Sequence, residues 1–426
     1  MIRNLKTSIH SMTDAEKAAL VGVLTLSVSL KLWNILDPFR LGFHSDEAIL
    51  GLMAMHFWNG DFAYFYYGQT YGGGLEYVLD CLFYALLPHG VAPLRVTSGL
   101  MMLGAELLVY SCAREVFVST AARVMTVLIF MCGSFVIPSE LSQSHGVHLN
   151  NLLAFAALLA VYLDADCVLP RPAILGFIVG IGYWVSDFIW VALIFAAIIP
   201  LLRGVPLVGY LRRDMLRAAG VFVVCLALGA LPRLLYLFNP DSWNVVSPMG
   251  GYTLGSPDKV LNTASMLIYD GLPRFFLGDY AGEYPSFGRW VSTGWLLLIF
   301  GSLVLATFRS HKARPLLWAV SGFSVVTATL VVSNAYSYDS GWRYVWPLLF
   351  SMAFHTGYIC DSWHRKGMLT NAATTLPVLL LVVGGAIGFL ANIVTPRLIT
   401  PKHNQYAPVI AALEANGCEY GFSFWE

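Results

Sequence analysis

The chain has 426 residues, of which 57% are hydrophobic and 12% are charged, and its formal net charge is zero. Soluble domains carry about twice this share of charged residues, so an ordinary soluble protein is excluded. The zero net charge gives no reason to expect a nucleic-acid partner. Since the apolar residues form blocks of about 20, the length of a helix that crosses a bilayer, the sequence predicts an all-α polytopic membrane protein with about eleven transmembrane or half-membrane helices.

The predicted helices occupy residues 1–394, which we assign to one transmembrane domain. Spans are predicted at residues 20–36, 94–110, 124–137, 151–163, 218–238, 290–308, 316–332, 344–359 and 376–393. The stretch 174–202 is too long for one span and too short for two. It predicts two shortened helices that meet near Ser186 and Asp187. Residues 395–426 are predicted as a short tail.

Basic residues predict the orientation, because they all fall on one side of this topology. They are Arg114, Arg123, Arg171, Arg203, Arg212, Arg213, Arg217, Arg309, Lys312, Arg314, Arg365 and Lys366. The positive-inside rule places this side in the cytoplasm. The larger loops 37–93 and 239–289, and the tail, are therefore expected on the periplasmic or extracellular face of the plasma (inner) membrane. Function is expected on that face.

Common cofactor and nucleotide motifs are missing from the sequence. The seven cysteines occur singly, without a CxxC pair, so neither a disulfide framework nor a zinc site is indicated. The chain has no P-loop, no GxGxxG after a strand and no internal repeat, which argues against an ATP-driven pump. No cofactor is predicted, although a divalent metal stays open.

Two adjacent carboxylates, Asp46 and Glu47, open the first outer loop. Ionisable residues at a membrane boundary are costly to desolvate and are functional candidates. An alternative is that Ser45 caps a helix whose dipole favours both carboxylates. The two interpretations are compatible, since a capped helix end holds a carboxylate rigidly. Apolar residues at helical spacing over residues 48–58 predict a helix in the membrane interface.

An aromatic run, FAYFYYGQTY, continues this loop. One interpretation is an aromatic belt at the lipid headgroups. The other is a sugar-binding platform formed by Tyr67 and Tyr71, with Gln69 and Glu76 supplying hydrogen bonds. The glycines at 72–74 predict a flexible turn and would also let a substrate approach the backbone.

A second polar loop contains Glu140, His145 and His148. Their spacings are not diagnostic of a metal site. A polar loop that lines the acceptor cavity is favoured, so His145 and His148 are predicted to contact substrate and no metal ligand is assigned.

Five segments together resemble the membrane glycosyltransferases of the GT-C fold, in the protein mannosyltransferase and aminoarabinose transferase superfamily. They read HSDEA, GLMAMHFWNGD, YYGQTYGGGLE, GIGYWVSD and RYVWPL. The resemblance implies a GT-C type architecture and a glycosyltransferase. Such an enzyme moves a sugar from a polyprenyl-phosphate donor to a glycolipid, polysaccharide or protein acceptor on the outer face. It also implies that Asp46, the first acidic residue of the loop, is the base.

The chemistry of this reaction agrees with that assignment. A polyprenyl phosphate is a good leaving group, so the enzyme needs a carboxylate for the acceptor proton and cations for the departing phosphate. A single displacement would invert the anomeric centre. Since neighbouring residues on a helix point about 100° apart, Asp46 is assigned the base role and Glu47 a supporting one.

Three arginines are candidates for the donor phosphate, because a guanidinium matches phosphate geometry. Arg343 matches the family's Arg-Tyr element, although snorkelling to headgroups is its alternative role. Arg274 and Arg233 are weaker candidates, and Lys259 is weaker still.

Two other classes of function stay open. A transporter or flippase for lipid-linked saccharides predicts inverted repeats and charged residues near the membrane midplane. A polysaccharide polymerase or ligase would centre on a large late outer loop such as 239–289. The tail 395–426 is shorter than the soluble domain of many family members, which argues against acceptor recognition by such a domain and is compatible with a lipid-linked or polysaccharide acceptor bound at the membrane.

Overall fold

The computed structural model describes residues 12–36, 45–67, 72–87, 91–134, 147–163, 171–204, 213–238, 255–277, 284–308, 312–333 and 345–365. These residues are helical apart from short connections, with a single antiparallel bridge between Phe65 and Gly73. The helices are α1 (Asp14–Leu36), α2 (Ser45–Trp58), α3 (Leu75–Tyr84), α4 (Val91–Val116), α5 (Thr120–Cys132), α6 (Val147–Leu163), α7 (Arg171–Val185), α8 (Phe188–Leu202), α9 (Arg213–Gly229), α10 (Leu231–Leu237), α11 (Pro257–Met266), α12 (Leu272–Leu277), α13 (Pro285–Phe308), α14 (Arg314–Ser333) and α15 (Leu348–Arg365), with a π-helix at Leu267–Gly271 between α11 and α12.

The all-α architecture is as predicted, and several of its helices suit a bilayer. Within the described ranges, α4, α13 and α14 are long and apolar enough to cross a membrane, and α9 and α10 make a further span that is bent by 72°. Shorter apolar helices are α5, α6, α7 and α8. The predicted total of about eleven is not confirmed. The predicted span 376–393 and the tail 395–426 lie outside the described residues.

Two interruptions of the helices lie close to the candidate site. Helix α7 ends at Val185 and α8 begins at Phe188, which confirms the predicted break at Ser186 and Asp187. The predicted single span 218–238 is divided into α9 and α10. Pro232 lies at the start of α10. Because proline lacks an N–H group, it cannot continue the hydrogen bonding of the preceding helix, which accounts for the bend.

Glycines bring α7 and α9 into backbone contact. A Cβ atom at Gly176 would lie 2.3 Å from the carbonyl oxygen of Phe222, and one at Gly180 would lie 2.3 Å from that of Leu226. A Cβ at Gly229 would lie 2.7 Å from the carbonyl oxygen of Phe177. Small residues allow such close packing of membrane helices. The break after α7 and the bend after α9 are thereby held beside each other.

One large apolar core joins helices α4–α8 and α12–α15. Helix α15 packs on α5, and α6 packs on both α4 and α8. At its centre the ring of Phe155 lies 4.3 Å from Phe323 and 4.9 Å from Phe350, centroid to centroid. A second apolar cluster joins α2, α3 and the start of α4. The candidate site lies on this second cluster, which the large core supports through α4.

Candidate active site

Helix α2 begins at Ser45, with Asp46 and Glu47 in its first turn. Asp46 is half-buried, whereas Glu47 is fully buried. Neighbouring side chains on a helix diverge by about 100°, so these two carboxylates face different surroundings. The predicted helix at residues 48–58 is confirmed, and its first turn carries the predicted acidic pair.

Glu47 forms a bidentate ion pair with Arg95 of α4. The Nε atom of Arg95 lies 3.0 Å from Oε1 and its Nη2 atom lies 3.1 Å from Oε2. Both side chains are 0% exposed. This parallel pair of charged hydrogen bonds is the strong geometry for arginine and carboxylate. The charge of Glu47 is therefore compensated inside the protein, and the pair connects α2 to α4.

Asp46 contacts Tyr66 of the same outer loop. The Tyr66 hydroxyl lies 3.1 Å from both the carbonyl oxygen and the Oδ1 atom of Asp46, and it can donate to either. Tyr66 itself is buried. The carboxylate is thus oriented by a rigid neighbour while Asp46 keeps partial exposure. A general base needs this combination of fixed geometry and access to substrate.

Helix α3, which sequence analysis did not predict, adds two buried carboxylates beside this pair. Glu76 and Asp80 are both 0% exposed. The hydroxyl of Ser98 on α4 donates to Oε1 of Glu76 at 3.1 Å. Burial raises the pKa of Asp80 well above its ordinary value; the charge of Glu76 raises it further, contact with Thr97 partly offsets this, and Glu47 adds a smaller increase. Burial and the neighbouring carboxylates thus both favour the protonated form of Asp80.

Replacing Asp80 by asparagine is expected to remove a pH-dependent loss of stability. A raised pKa in the folded state stabilises the protein below the unfolded pKa, and that stability is lost as pH rises through the folded pKa. Each unit of pKa difference corresponds to about 1.4 kcal/mol. The wild-type melting temperature should therefore fall as pH rises above the ordinary pKa of an aspartate, and Asp80→Asn should flatten that fall. Parallel melting curves of the two proteins across this range would contradict the raised pKa.

The aromatic run is folded into a hairpin, by which we mean residues 61–67 and 72–74. The backbone N–H of Tyr66 donates to the Gly72 carbonyl at 2.7 Å, beside the bridge between Phe65 and Gly73. The hydroxyl of Tyr77 donates to the Ala63 carbonyl at 2.5 Å, which fixes the hairpin on α3. Ala63 and Tyr66 of the run are therefore held by specific hydrogen bonds.

The predicted sugar-contacting residues have different surroundings. The Tyr67 hydroxyl lies 2.6 Å from Nδ1 of His56 on α2, and Tyr67 keeps partial exposure. Glu76 is buried against α4, as described above. His148 lies in the first turn of α6 and is half-buried. Gln69, Tyr71 and His145 lie outside the described residues.

Two of the predicted phosphate ligands, Arg233 and Arg274, lie on different helices, and each is paired with an aspartate. Arg233 lies on α10, where its Nη1 atom is 2.9 Å from Oδ1 of Asp187. Arg274 lies on α12, which packs mainly against α13, and its Nε atom is 2.9 Å from Oδ2 of Asp270. The Arg274 side chain is 44% exposed although its neighbours on α12 are buried. Lys259 is exposed on α11, and Arg343 lies outside the described residues.

Over the residues that the structure describes, no three His, Cys, Asp or Glu side chains are grouped so that they could hold a metal ion. Of the buried carboxylates beside Asp46, Glu47 pairs with Arg95 and Glu76 accepts a hydrogen bond from Ser98.

No family model and no curated protein sequence matches the chain. Solved structures do match it. ArnT from Cupriavidus metallidurans bound to undecaprenyl phosphate is similar with a TM-score of 0.55 at 14% identity, over 88% of this chain and 71% of that chain. Archaeal oligosaccharyltransferase AglB from Archaeoglobus fulgidus, in complex with an inhibitory peptide and a dolichol-phosphate, is similar with a TM-score of 0.53 at 15% identity, over 96% of this chain and 60% of that chain. The fold is therefore that of the GT-C glycosyltransferases, as the sequence resemblance implied.

Proposed function

We propose that this protein is a membrane glycosyltransferase that uses a polyprenyl-phosphate-linked sugar as donor. The acceptor is a glycolipid, polysaccharide or protein on the outer face of the plasma membrane. The observation that carries the proposal is Asp46, a half-buried carboxylate oriented by Tyr66 at the first turn of α2. It lies in a fold shared with ArnT and AglB, whose structures hold undecaprenyl phosphate and dolichol phosphate.

Asp46 acts as the base in a single displacement. It accepts the proton of an acceptor hydroxyl while that oxygen attacks the anomeric carbon from the face opposite the phosphate. The bond between the anomeric carbon and the phosphate oxygen breaks, and the polyprenyl phosphate leaves with the bonding electrons. The products are a glycoside of inverted configuration and the free lipid phosphate. No general acid is needed, because the phosphate is a good leaving group.

Glu47 has a supporting role in this mechanism. Both of its oxygens accept hydrogen bonds from Arg95, and neither is exposed. A carboxylate with this environment cannot easily meet an acceptor hydroxyl. It fixes the first turn of α2 against α4, and therefore the position of Asp46.

Cations on the same face stabilise the departing phosphate. Arg343 and Arg274 are our first candidates. The Arg274 side chain is partly exposed although the other residues of α12 are buried, and Asp270 orients its guanidinium. It can therefore contact a phosphate without a large rearrangement. Arg233, the third predicted candidate, is not proposed as a phosphate ligand, since Asp187 already compensates its charge.

Contacts to the sugars are proposed for the residues that the first and second polar loops contribute. They are Tyr67, Gln69, Tyr71, His145 and His148. Glu76 is left out of this set, because it is fully buried beside α4. Tyr67 lies on the hairpin, where its side chain is partly exposed. Removing its hydroxyl would also break its hydrogen bond with His56.

The proposal is tested with the purified protein in liposomes that contain radiolabelled polyprenyl-phosphate sugars and candidate acceptors. We expect sugar transfer together with release of one polyprenyl phosphate per sugar, and an inverted anomeric configuration by NMR. Movement of the saccharide across the bilayer without release of lipid phosphate would overturn the proposal in favour of a transporter. Mass spectrometry of surface glycans, with and without the protein, would identify the acceptor.

A further inference from the structure

Arg233 of α10 makes several directed contacts at the break between α7 and α8. Its Nη1 atom donates to the Tyr183 carbonyl at 2.6 Å and lies 2.9 Å from Oδ1 of Asp187. Its Nη2 atom donates to Oδ2 of Asp187 at 3.3 Å. The guanidinium carbon lies 4.1 Å from the centre of the Tyr183 ring. The guanidinium therefore binds a carboxylate, a carbonyl at the end of α7 and an aromatic face at once.

These contacts join two interruptions that are close in space. Asp187 lies in the break after α7, and Arg233 follows the bend between α9 and α10. The glycine contacts between α7 and α9 hold the two interruptions side by side. Helix breaks leave backbone groups without helical partners, and Arg233 supplies the partner for the Tyr183 carbonyl.

The hairpin also contacts the end of α7, where the break begins. Nε1 of Trp184 donates to the Tyr64 carbonyl at 2.7 Å, and the backbone N–H of Gly73 donates to the Val185 carbonyl at 2.9 Å. A Cβ atom at Gly73 would lie 2.4 Å from the Trp184 carbonyl oxygen. Only glycine lets the hairpin approach the end of α7 so closely.

Aromatic contacts connect Arg233 itself to the hairpin. The Phe65 ring lies 4.8 Å from the ring of Tyr236 on α10, edge to face. The guanidinium carbon of Arg233 lies 6.0 Å from the centre of the Phe65 ring. Phe65 is followed directly by Tyr66, whose hydroxyl contacts Asp46. A continuous set of contacts thus leads from Asp187 and Arg233 through the hairpin to Asp46.

We propose that Asp187 and Arg233 form a clasp that fixes the hairpin across both helix interruptions, so that they are positioning residues for Asp46 and not ligands of the substrate. That Asp187 and Arg233 position Asp46 for catalysis rests on the proposed function, whereas their fixing of the hairpin does not. The Arg233 side chain is 13% exposed and that of Asp187 is 34% exposed, so the pair is partly shielded from water. The hydrogen bond and the ion pair that Arg233 makes with the two oxygens of Asp187 use both Nη atoms of the planar guanidinium, which lysine lacks.

The clasp is tested with Asp187→Asn, Arg233→Gln, the milder Arg233→Lys and the charge-swapped double variant Asp187→Arg with Arg233→Asp. Hydrogen exchange of the hairpin amides is measured in detergent, and kcat and donor KM are measured in liposomes. The control is Arg289→Gln, since Arg289 is an exposed arginine that packs over the Tyr269 ring, 5.5 Å from its centre.

We expect the single variants to raise hairpin exchange about tenfold, because local opening becomes easier. The value of kcat should fall about ten- to hundredfold while donor KM stays within about twofold, since the substrate still binds but the base is misplaced. Arg233→Lys should be intermediate, and the swapped pair should recover part of both losses. Arg289→Gln should change neither.

Unchanged hairpin exchange in the single variants would overturn the clasp. A large rise in donor KM, with unchanged exchange and no recovery in the swapped pair, would instead make Arg233 a phosphate ligand. If hairpin exchange changes as expected but neither the wild-type protein nor any variant transfers sugar, the clasp is supported and the proposed function is wrong.

Discussion

Replacing Asp46 by asparagine is expected to lower the rate of sugar transfer by about two to four orders of magnitude, the usual contribution of a positioned general base. The amide has the size of the carboxylate but cannot accept the acceptor proton at neutral pH. The Tyr66 hydroxyl can still donate to the carbonyl oxygen of residue 46 and to the side-chain oxygen, so the hairpin should keep its place. The loss should therefore be confined to the chemical step.

Single-turnover transfer from a radiolabelled polyprenyl-phosphate sugar measures that step directly. Donor binding, measured separately, should change by less than about threefold, because Asp46 is not proposed to hold the phosphate. Asp61→Asn is the matched control, since Asp61 is an exposed carboxylate in the same hairpin. It should transfer sugar at the wild-type rate. Full activity of a correctly inserted Asp46→Asn protein would remove Asp46 from the mechanism.

The first polar loop shows how far local sequence can predict this site. The apolar residues after Glu47 recur at helical spacing, and α2 is found there. The adjacent carboxylates were recognisable because charge next to an apolar span is costly. The interruption at Ser186 and Asp187 was also recognisable, since polar residues divide an apolar stretch of unusual length. Each of these signals lies within about two helical turns of the feature it predicts.

Partners that are distant in sequence could not be assigned in this way. Arg95 is separated from Glu47 by 48 positions, and Tyr66 is separated from Asp46 by 20. A charged residue inside a predicted span indicates that some partner exists, and Arg95 gave that signal, but the partner follows only from the packing of α2 on α4. The burial of Glu76 likewise depends on how α3 packs on α4.

The bend between α9 and α10 is a different case, because its signal was present in the sequence. Gly229 and Pro232 lie three positions apart inside the predicted span 218–238. Glycine and proline at this spacing are typical of a helix end followed by a new helix start. Hydropathy alone predicts one span here, since both parts are apolar. The position of Arg233 beside Asp187 is a consequence of this bend.

Replacing Arg95 by methionine is expected to destabilise the protein by about 3–5 kcal/mol, the usual effect of leaving one charge of a buried pair without its partner. Arg95 and Glu47 are both fully buried, and Glu76 and Asp80 lie nearby, so loss of the guanidinium removes the cation that this group of buried carboxyls contacts through Glu47. Equilibrium unfolding in mixed micelles measures the change in the free energy of unfolding. Glu47→Leu alone should also destabilise, because it removes the carboxylate that accepts two hydrogen bonds from the buried guanidinium.

The double variant Glu47→Leu with Arg95→Met is expected to recover most of that stability, because the two replacements remove both charges and keep similar volumes. The net charge around Asp80 is then the same as in the wild-type protein. The transfer rate of the double variant shows whether Glu47 only supports the structure or takes part in the chemistry. If Glu47 only fixes the first turn of α2, the stable double variant should transfer sugar within about tenfold of the wild-type rate, since Asp46 and Tyr66 are untouched. If it folds as well as the wild-type protein but transfers no sugar, Glu47 takes part in the chemistry and the supporting role is wrong.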